Sequence, residues 1–481
     1  MTTRPEPVII QGGMGAAVSS WTLARAVSKA GQLGVVSGTA LDLVLCRRLQ
    51  LGDLDGSSRR AMENFPFPEM IEPILSRYFI PGGKAADESF IACPMPSAKP
   101  SKSALELLVV ANFVEVYLAK EDHDGLVGIN YLEKIQPPTL ASLFGAMLAG
   151  VDYVLMGAGI PRAIPGILDQ LCRGEAVEMP LYVSGADRGD NFVTRFDPNS
   201  FTQNRIPWLN RPKFLVIVAS HALATMLMKK STGDVDGFVV EGPTAGGHNA
   251  PPRGGMQLDH NGEPIYGDRD VPDLEVIRAI GRPFWLAGSY GSPQRVNEAI
   301  ELGATGVQVG TAFAFCEESG LQGDIKQEVL SMVRADTVGV RTDPRASPAG
   351  FPFKVLDLPA SLSDESIHLE RPRVCDLGYL RHAYKRPDGA LGWRCPAEKI
   401  DAYVRKGGEE PDTCGRKCVC NGLLANVGLA QIRNTGYCEK PLVTTGDEVR
   451  HIAEFLQAPD DTSYSAKDVV VQLIAGVTTN C

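Results

Sequence analysis

The chain has 481 residues, 44% of them hydrophobic and 22% charged, which is the composition of a globular protein and excludes a disordered one. Its 47 basic and 57 acidic side chains give a net charge of −10 without a basic cluster, so nucleic acid is not an expected partner. No apolar run approaches the roughly 18 residues that span a bilayer, and the N-terminus lacks the pattern of a signal peptide. We therefore expect a cytoplasmic protein without membrane contact.

Short apolar runs recur along the first two thirds of the chain. Each run is followed by a turn marked with glycine, and most are then followed by apolar residues at helical spacing. This alternation predicts β-strands connected by helices. The predicted strands lie in PVIIQGG (7–13), LGVVSG (33–38), LVGIN (126–130), VDYVLMGAG (151–159), KFLVIVAS (213–220), DGFVVEG (236–242), PFWLAGS (283–289) and TGVQVGT (305–311).

Eight strand–helix units favour a closed (β/α)8 TIM barrel over an open doubly wound sheet. We place this barrel in residues 1–320. An insertion is expected near 50–112, after the second strand, because a proline-rich stretch interrupts the strand–helix pattern there. Residues 321–481, here named the C-terminal extension, are expected to be helical and cysteine-rich and to pack on the barrel. Within it we expect a loop over 341–355 and a pair of helices over 447–456 and 466–475.

Glycines directly after the predicted strands indicate where a ligand would lie. The sequence QGGMG (11–15) offers bare backbone that a flat ring can approach, although it also fits a flexible turn. LAGSYG and VQVGT end the last two strands, and in TIM barrels the loops after strands seven and eight are a frequent phosphate site. Together these motifs predict a phosphate-bearing ligand at the carboxyl ends of the strands.

The sequence VVEGPTAGGHNAPPRGG (239–255) places His248 after a glycine pair that follows a buried strand. An imidazole there is either a hydrogen-bonded turn residue or a group that exchanges protons with a bound molecule near neutral pH. Glu241, at the strand end, is expected to orient His248, to bind ligand hydroxyls or to cap the turn.

Six of the eleven cysteines fall between residues 375 and 438. Cys414, Cys418 and Cys420 are spaced C-x₃-C-x-C, with Cys395 and Cys438 on either side. This spacing matches neither the C-x₂-C pattern of zinc knuckles nor a ferredoxin run. We expect free thiols or one redox pair and no metal, with a zinc or iron–sulfur site as the alternative.

The ordered motifs IIQGGMG…LARAVSKAGQLGVVSG, MGAGIP, EGPTAGGH, LAGSYG and GVQVGT resemble a family of FMN-dependent barrel oxidoreductases. The family includes nitronate monooxygenases and enoyl-acyl-carrier-protein reductase II, and the resemblance covers roughly residues 7 to 320. The segment VGINYLEKIQPPTLASLFGAMLAGVDYVLMGAGIP is similar to the longer-chain branch, which includes the trans-acting enoyl reductases of polyketide and polyunsaturated fatty-acid assembly lines.

The resemblance implies FMN as cofactor and assigns its contacts. Residues that match the family would line the flavin ring, border the cofactor beside the catalytic His248, or hold the phosphate. Gly12, Gly13 and Met14 would line the ring, and Asn130 would match the asparagine after the third strand that contacts FMN. Gly246 and Gly247 would border the cofactor, and the phosphate would be held by Gly288, Ser289, Gly310 and Thr311. The sequence departs from the family's double glycine after the seventh strand, so the phosphate contact is expected to be firmer at Gly310 and Thr311.

Three functions are compatible with these motifs. The leading one is oxidation of a small nitro or nitronate compound with O₂, in which His248 acts as base or hydrogen-bond donor. The alternative is reduction of an enoyl thioester with NAD(P)H, with an acyl carrier protein as partner and His248 stabilising the enolate oxygen. The third is a non-catalytic flavin-binding redox or structural subunit. The motifs do not separate the first two, and they leave the oligomeric state open.

Overall fold

The computed structural model describes residues 5–477, and its central feature is a closed barrel of eight parallel strands. The two ends of the sheet meet where Ile10 pairs with Leu33. Gln11 N–H donates to the Leu33 carbonyl at 3.0 Å, and Leu33 N–H donates to the Ile9 carbonyl at 3.1 Å. The predicted TIM barrel is confirmed. Its strands are β1 Ile9–Gln11, β2 Gly34–Ser37, β3 Val127–Leu132, β4 Tyr153–Gly157, β5 Lys213–Val218, β6 Gly237–Glu241, β7 Phe284–Ala287 and β8 Gly306–Val309.

Successive side chains along each strand point alternately into the barrel and out of it, which divides the core into two layers. Side chains such as Val35, Leu215 and Trp285 fill the barrel interior, whereas their neighbours along each strand pack outward against the helices. Trp285 is fully buried, and its Nε1–H donates to the Pro7 carbonyl at 2.8 Å, just before β1. The amino-terminal end of the barrel is therefore filled, and space for a ligand remains at the carboxyl ends of the strands.

Helices surround the barrel and form most of its additions. Short 3₁₀ helices cover Pro68–Met70, Asp268–Asp270, Glu410–Thr413 and Asp447–Phe455. The α-helices are Trp21–Lys29, Leu41–Gln50, Ser57–Glu63, Ile71–Tyr78, Lys102–Lys120, Thr139–Leu148, Ile164–Cys172, Pro198–Thr202, His221–Lys230, Leu274–Ala279, Pro293–Glu301, Thr311–Ala314, Gly323–Arg334, Glu365–Glu370, Ile400–Arg405, Val419–Ala425 and Ala466–Ile474. None of these helices, in the part of the chain that the structure covers, is both long and apolar enough to cross a membrane.

The connection between β2 and β3 contains several helices, the longest being Lys102–Lys120. This helix begins where Ser101 Oγ accepts the Ala104 N–H at 3.2 Å, which satisfies one of the free N–H groups of its first turn. It packs closely on Thr139–Leu148, because a Cβ at Gly145 would lie 2.2 Å from the Val109 carbonyl oxygen. The absence of a side chain at Gly145 thus fixes how this long helix sits against the barrel.

A second addition lies between β4 and β5 and was not predicted from the sequence. Its strands Val177–Pro180 and Val193–Phe196 pair antiparallel, and Val183–Ser184 pairs with His382–Lys385 of the C-terminal extension. Strands of two to four residues are too short to produce a clear alternating pattern, which explains the omission.

The C-terminal extension combines helices with two antiparallel strand pairs. Val340–Asp343 pairs with Phe353–Leu356, and His382–Lys385 pairs with Leu391–Arg394. The expectation of a loop over 341–355 is therefore wrong at both ends, which are strands. The prolines and glycine of the turn between them made the whole segment look like a loop in the sequence. The first expected terminal helix is a 3₁₀ helix, Asp447–Phe455, and the second is the α-helix Ala466–Ile474.

Candidate functional site

A cavity of about 210 Å³ opens at the carboxyl ends of the barrel strands. Its walls come from the turns after the strands and from the C-terminal extension. Every residue that the sequence assigned to the cofactor or to catalysis lines this one cavity: Gly12, Gly13, Met14, Asn130, Gly246, Gly247, His248, Gly288, Ser289, Gly310 and Thr311.

Two positions at the cavity favour glycine, one because a neighbouring side chain lies very close and the other because of its backbone conformation. A Cβ at Gly13 would lie 2.3 Å from Asn130 Cβ, so the bare backbone makes room for the asparagine side chain as well as for a ligand. Gly247 has φ +82°, a conformation that other residues adopt only with strain. Substitutions at either position are expected to deform the wall of the cavity.

Two buried oxygens at the cavity lack a hydrogen-bond donor among residues 5–477. They are Asn130 Oδ1, within β3, and Gln308 Oε1, within β8. An unsatisfied buried acceptor is costly, by about 1–3 kcal/mol, so both atoms indicate a ligand that donates hydrogen bonds there. Gln308 was missed in the sequence analysis, although a glutamine within an otherwise apolar strand is the signal that could have identified it.

The turns after β7 and β8 form the other side of the cavity. Gly288 and Ser289 both have positive φ, of +90° and +61°. Neither the hydroxyl nor the backbone N–H of Ser289 has a hydrogen-bond partner among residues 5–477. Thr311 Oγ1, in contrast, accepts the Gly446 N–H at 3.0 Å. Because the Thr311 hydroxyl accepts this bond, its own O–H can still donate to an anion, and the firmer contact at Gly310 and Thr311 stays a prediction.

The C-terminal extension supplies part of the cavity wall, which the sequence analysis did not foresee. The loop after β6 is held on both sides: Gly247 N–H donates to Thr444 Oγ1 at 2.8 Å, and Lys354 N–H donates to the Gly247 carbonyl at 2.9 Å. A Cβ at Gly246 would lie 2.8 Å from Gly446 N. The glycine pair before His248 thus serves the contact with the extension as well as the cavity.

His248 is fixed by residues of the C-terminal extension. Its Nε2 lies 2.6 Å from Ser347 Oγ, and its ring lies 4.8 Å from the Phe353 ring, centroid to centroid. Burial, with a smaller contribution from the positive charge of Lys134, lowers the pKa of His248 to about 4. This differs from the expectation of an ordinary imidazole pKa. At pH 7 the ring is neutral, so it can accept a proton or donate one N–H hydrogen bond.

Glu241 also faces the cavity, at the end of β6. Burial raises the pKa of its carboxyl group to about 8, so the group is mostly protonated at pH 7. Of the three roles expected for this residue, orienting His248 is not seen, because Ser347 is the partner of the imidazole. Glu241 and His248 are therefore both neutral at pH 7. Burial also raises the pKa of Glu448, the third titratable residue that lines the cavity.

The cysteines of the C-terminal extension include one close pair and two exposed thiols. No group of three or more His, Cys, Asp or Glu side chains between residues 5 and 477 could hold an ion. Cys375 and Cys395 form a hydrogen-bonded thiol pair that lowers the pKa of Cys375 and raises that of Cys395. Cys414 and Cys438 are exposed.

Fold and site define a (β/α)8-barrel protein with a ligand cavity at the carboxyl ends of its strands. The family model described as "Nitronate monooxygenase" matches residues 192–345. A probable nitronate monooxygenase of Bacillus subtilis (strain 168) is 33% identical over 123 residues, which are 26% of this chain and 33% of that protein. A nitronate monooxygenase of Pseudomonas aeruginosa is 31% identical over 124 residues, 25% of this chain and 32% of that protein.

Over these segments the chain is similar to nitronate monooxygenases, in agreement with the resemblance found in the sequence. The alignments span about a third of the length of these curated relatives. Among solved structures, FabK from Thermotoga maritima superimposes with a TM-score of 0.49 at 18% identity, covering 98% of this chain and 92% of that one.

Proposed function

We propose that the protein is an FMN-dependent oxidoreductase that oxidises a small nitro or nitronate compound with O₂. The observation that carries the proposal is the meeting, in one cavity, of the unsatisfied acceptors Asn130 Oδ1 and Gln308 Oε1 with a neutral His248. Similarity to a probable and a curated nitronate monooxygenase over part of the chain supports the activity.

The residues at the cavity fit FMN. The isoalloxazine ring and the ribityl chain carry N–H and O–H groups, which are the donors that the two unsatisfied oxygens require. Gly12 presents bare backbone to the cavity. A Cβ at this position would come no closer than 3.6 Å to its neighbours. Ser289, whose N–H and hydroxyl are free among residues 5–477, would bind the phosphate together with the backbone at Gly310.

A bound FMN would supply the redox chemistry, because flavin can take up electrons from a substrate and pass them to O₂. His248 would act on the substrate. As a neutral imidazole it can take the proton from the carbon beside a nitro group, or it can donate its N–H to a nitronate oxygen. Ser347 holds the ring through Nε2 and leaves the other nitrogen for the substrate. The protonated Glu241 adds no negative charge beside His248, which reduces repulsion of an anionic substrate.

The second candidate is reduction of an α,β-unsaturated thioester with NAD(P)H, with an acyl carrier protein as partner. It is favoured by the neutral N–H of His248, which suits a developing enolate oxygen.

Anaerobic mixing of the oxidised, FMN-loaded protein with an alkyl nitronate, NADH or NADPH tests the proposal. We expect the nitronate to bleach the flavin absorption band rapidly and the nucleotides to do so slowly. Rapid bleaching by NADPH with none by nitronate would reverse the order of the two candidates. Release of FAD on heating, or a protein that binds no FMN, would exclude both.

A further inference from the structure

A second, smaller cavity of about 30 Å³ adjoins the first one at His248. Four residues line both cavities: Thr39, Leu132, His248 and Leu423. Half of the lining of the second cavity comes from the C-terminal extension, including Leu380. The catalytic histidine therefore stands between the proposed cofactor cavity and a space that the extension closes.

The walls of the second cavity are mainly apolar. Leu380, Val419 and Leu424 are buried members of one hydrophobic cluster. Tyr379 presents its ring, because its hydroxyl donates to Asp42 Oδ1 on the far side. The polar lining residues of this cavity include Thr39 and His248, which it shares with the first cavity. A buried space lined mainly by apolar side chains accepts apolar groups.

The size of this space limits what enters it. A cavity must offer at least roughly 10–15 Å³ on this measure to hold one water-sized group. The volume of about 30 Å³ therefore corresponds to the end of a hydrocarbon chain, roughly two or three carbon atoms.

We propose that the C-terminal extension builds an apolar subsite, centred on Leu380, that receives the hydrocarbon chain of the substrate while His248 acts on the polar end. The inference rests on the proposed function only in that His248 is taken as the point where the polar end lies. It names the substrate class as a linear-chain compound with a planar anionic or carbonyl head, and it makes Leu380 a determinant of chain length.

Binding and turnover are measured separately to test the subsite. Linear carboxylates from propionate to octanoate imitate the head and tail without reacting, and their affinities for the FMN-loaded protein are obtained by calorimetry. Linear nitronates of two to eight carbons give kcat/KM. We expect each quantity to rise about fourfold per methylene over two or three methylenes and then to level off.

Variants at Leu380 shift the point at which this rise ends. Leu380→Phe fills the cavity and should abolish the rise, whereas Leu380→Ala enlarges it and should extend the rise to longer chains. Leu54→Phe, at a side chain 83% exposed, is the matched control and should reproduce the wild-type series. Should Leu380→Phe fail to fold, the wild-type series and Leu380→Ala decide the matter.

The outcomes separate the two proposals. Affinities that follow chain length and shift with Leu380, without nitronate turnover, support the subsite and contradict nitronate oxidation. If nitronates are turned over but the carboxylate affinities do not depend on chain length, or depend on it equally in all variants, the subsite alone is contradicted. Failure of every carboxylate to bind also overturns it.

Discussion

Replacement of Gly246 by alanine tests how tightly the cavity depends on the C-terminal extension. The new Cβ would lie 2.8 Å from both Gly446 N and Thr445 C, which are backbone atoms that cannot rotate away. Reaching an ordinary contact of 3.4 Å requires the two segments to separate by 0.6 Å (3.4 − 2.8). Overpacking of this kind costs about 1–3 kcal/mol.

The separation should weaken the bond from Gly247 N–H to Thr444 Oγ1 and open the cavity wall. We expect a lower unfolding temperature without cofactor. We also expect a Kd for FMN raised roughly 5- to 150-fold, which is the same free energy of about 1–3 kcal/mol expressed as affinity. Thermal unfolding and quenching of FMN fluorescence measure the two effects. Gly267→Ala is the control, because a Cβ there meets nothing within 4 Å. A Gly246→Ala protein with wild-type stability and wild-type Kd would refute the reasoning.

Three further predictions concern the titratable groups and the thiols. His248→Ala should retain FMN but lose turnover by about 10²- to 10⁴-fold, and steady-state rates near wild type would remove its catalytic role. Because the pKa of Glu241 is about 8, its carboxyl group ionises as the pH rises through 8, so kcat/KM for a nitronate should fall above that pH. Glu241→Gln should abolish the fall, and coincident pH profiles would contradict the assignment. Metal analysis of anaerobically purified protein should show less than one equivalent of zinc or iron; a full equivalent that disappears in Cys418→Ser/Cys420→Ser would contradict this.

The barrel could be predicted from the sequence because its signals are local. Each strand is a short apolar run, and the turn that follows carries glycines whose backbone the cavity uses, as at Gly13 and Gly288. The carboxyl ends of parallel strands meet at one end of a barrel, so residues dispersed from Gly12 to Thr311 could be assigned to one site before any distance was known.

The contacts that complete the site lack such a local signal. Ser347 lies 99 residues from His248, and Gly446 lies 135 residues from Thr311. A serine in a proline-rich turn and a glycine before a 3₁₀ helix have many other uses, so neither stands out in one sequence. The shift of the His248 pKa was missed for the same reason, because it arises from burial by segments distant along the chain.

The long-range contacts of Thr311 with Gly446 and of Gly247 with Thr444 also affect when the protein can acquire its cofactor during synthesis. All eight barrel strands have been made once Val309 has left the ribosome, yet the cavity wall stays incomplete until well over a hundred further residues follow. A nascent chain therefore passes through a long interval in which all barrel strands are present but the wall of the ligand site is incomplete. Once the wall is in place, any ligand that requires it stabilises the folded C-terminal extension by mass action. The resistance of the C-terminal extension to proteases should therefore rise with the concentration of the cofactor.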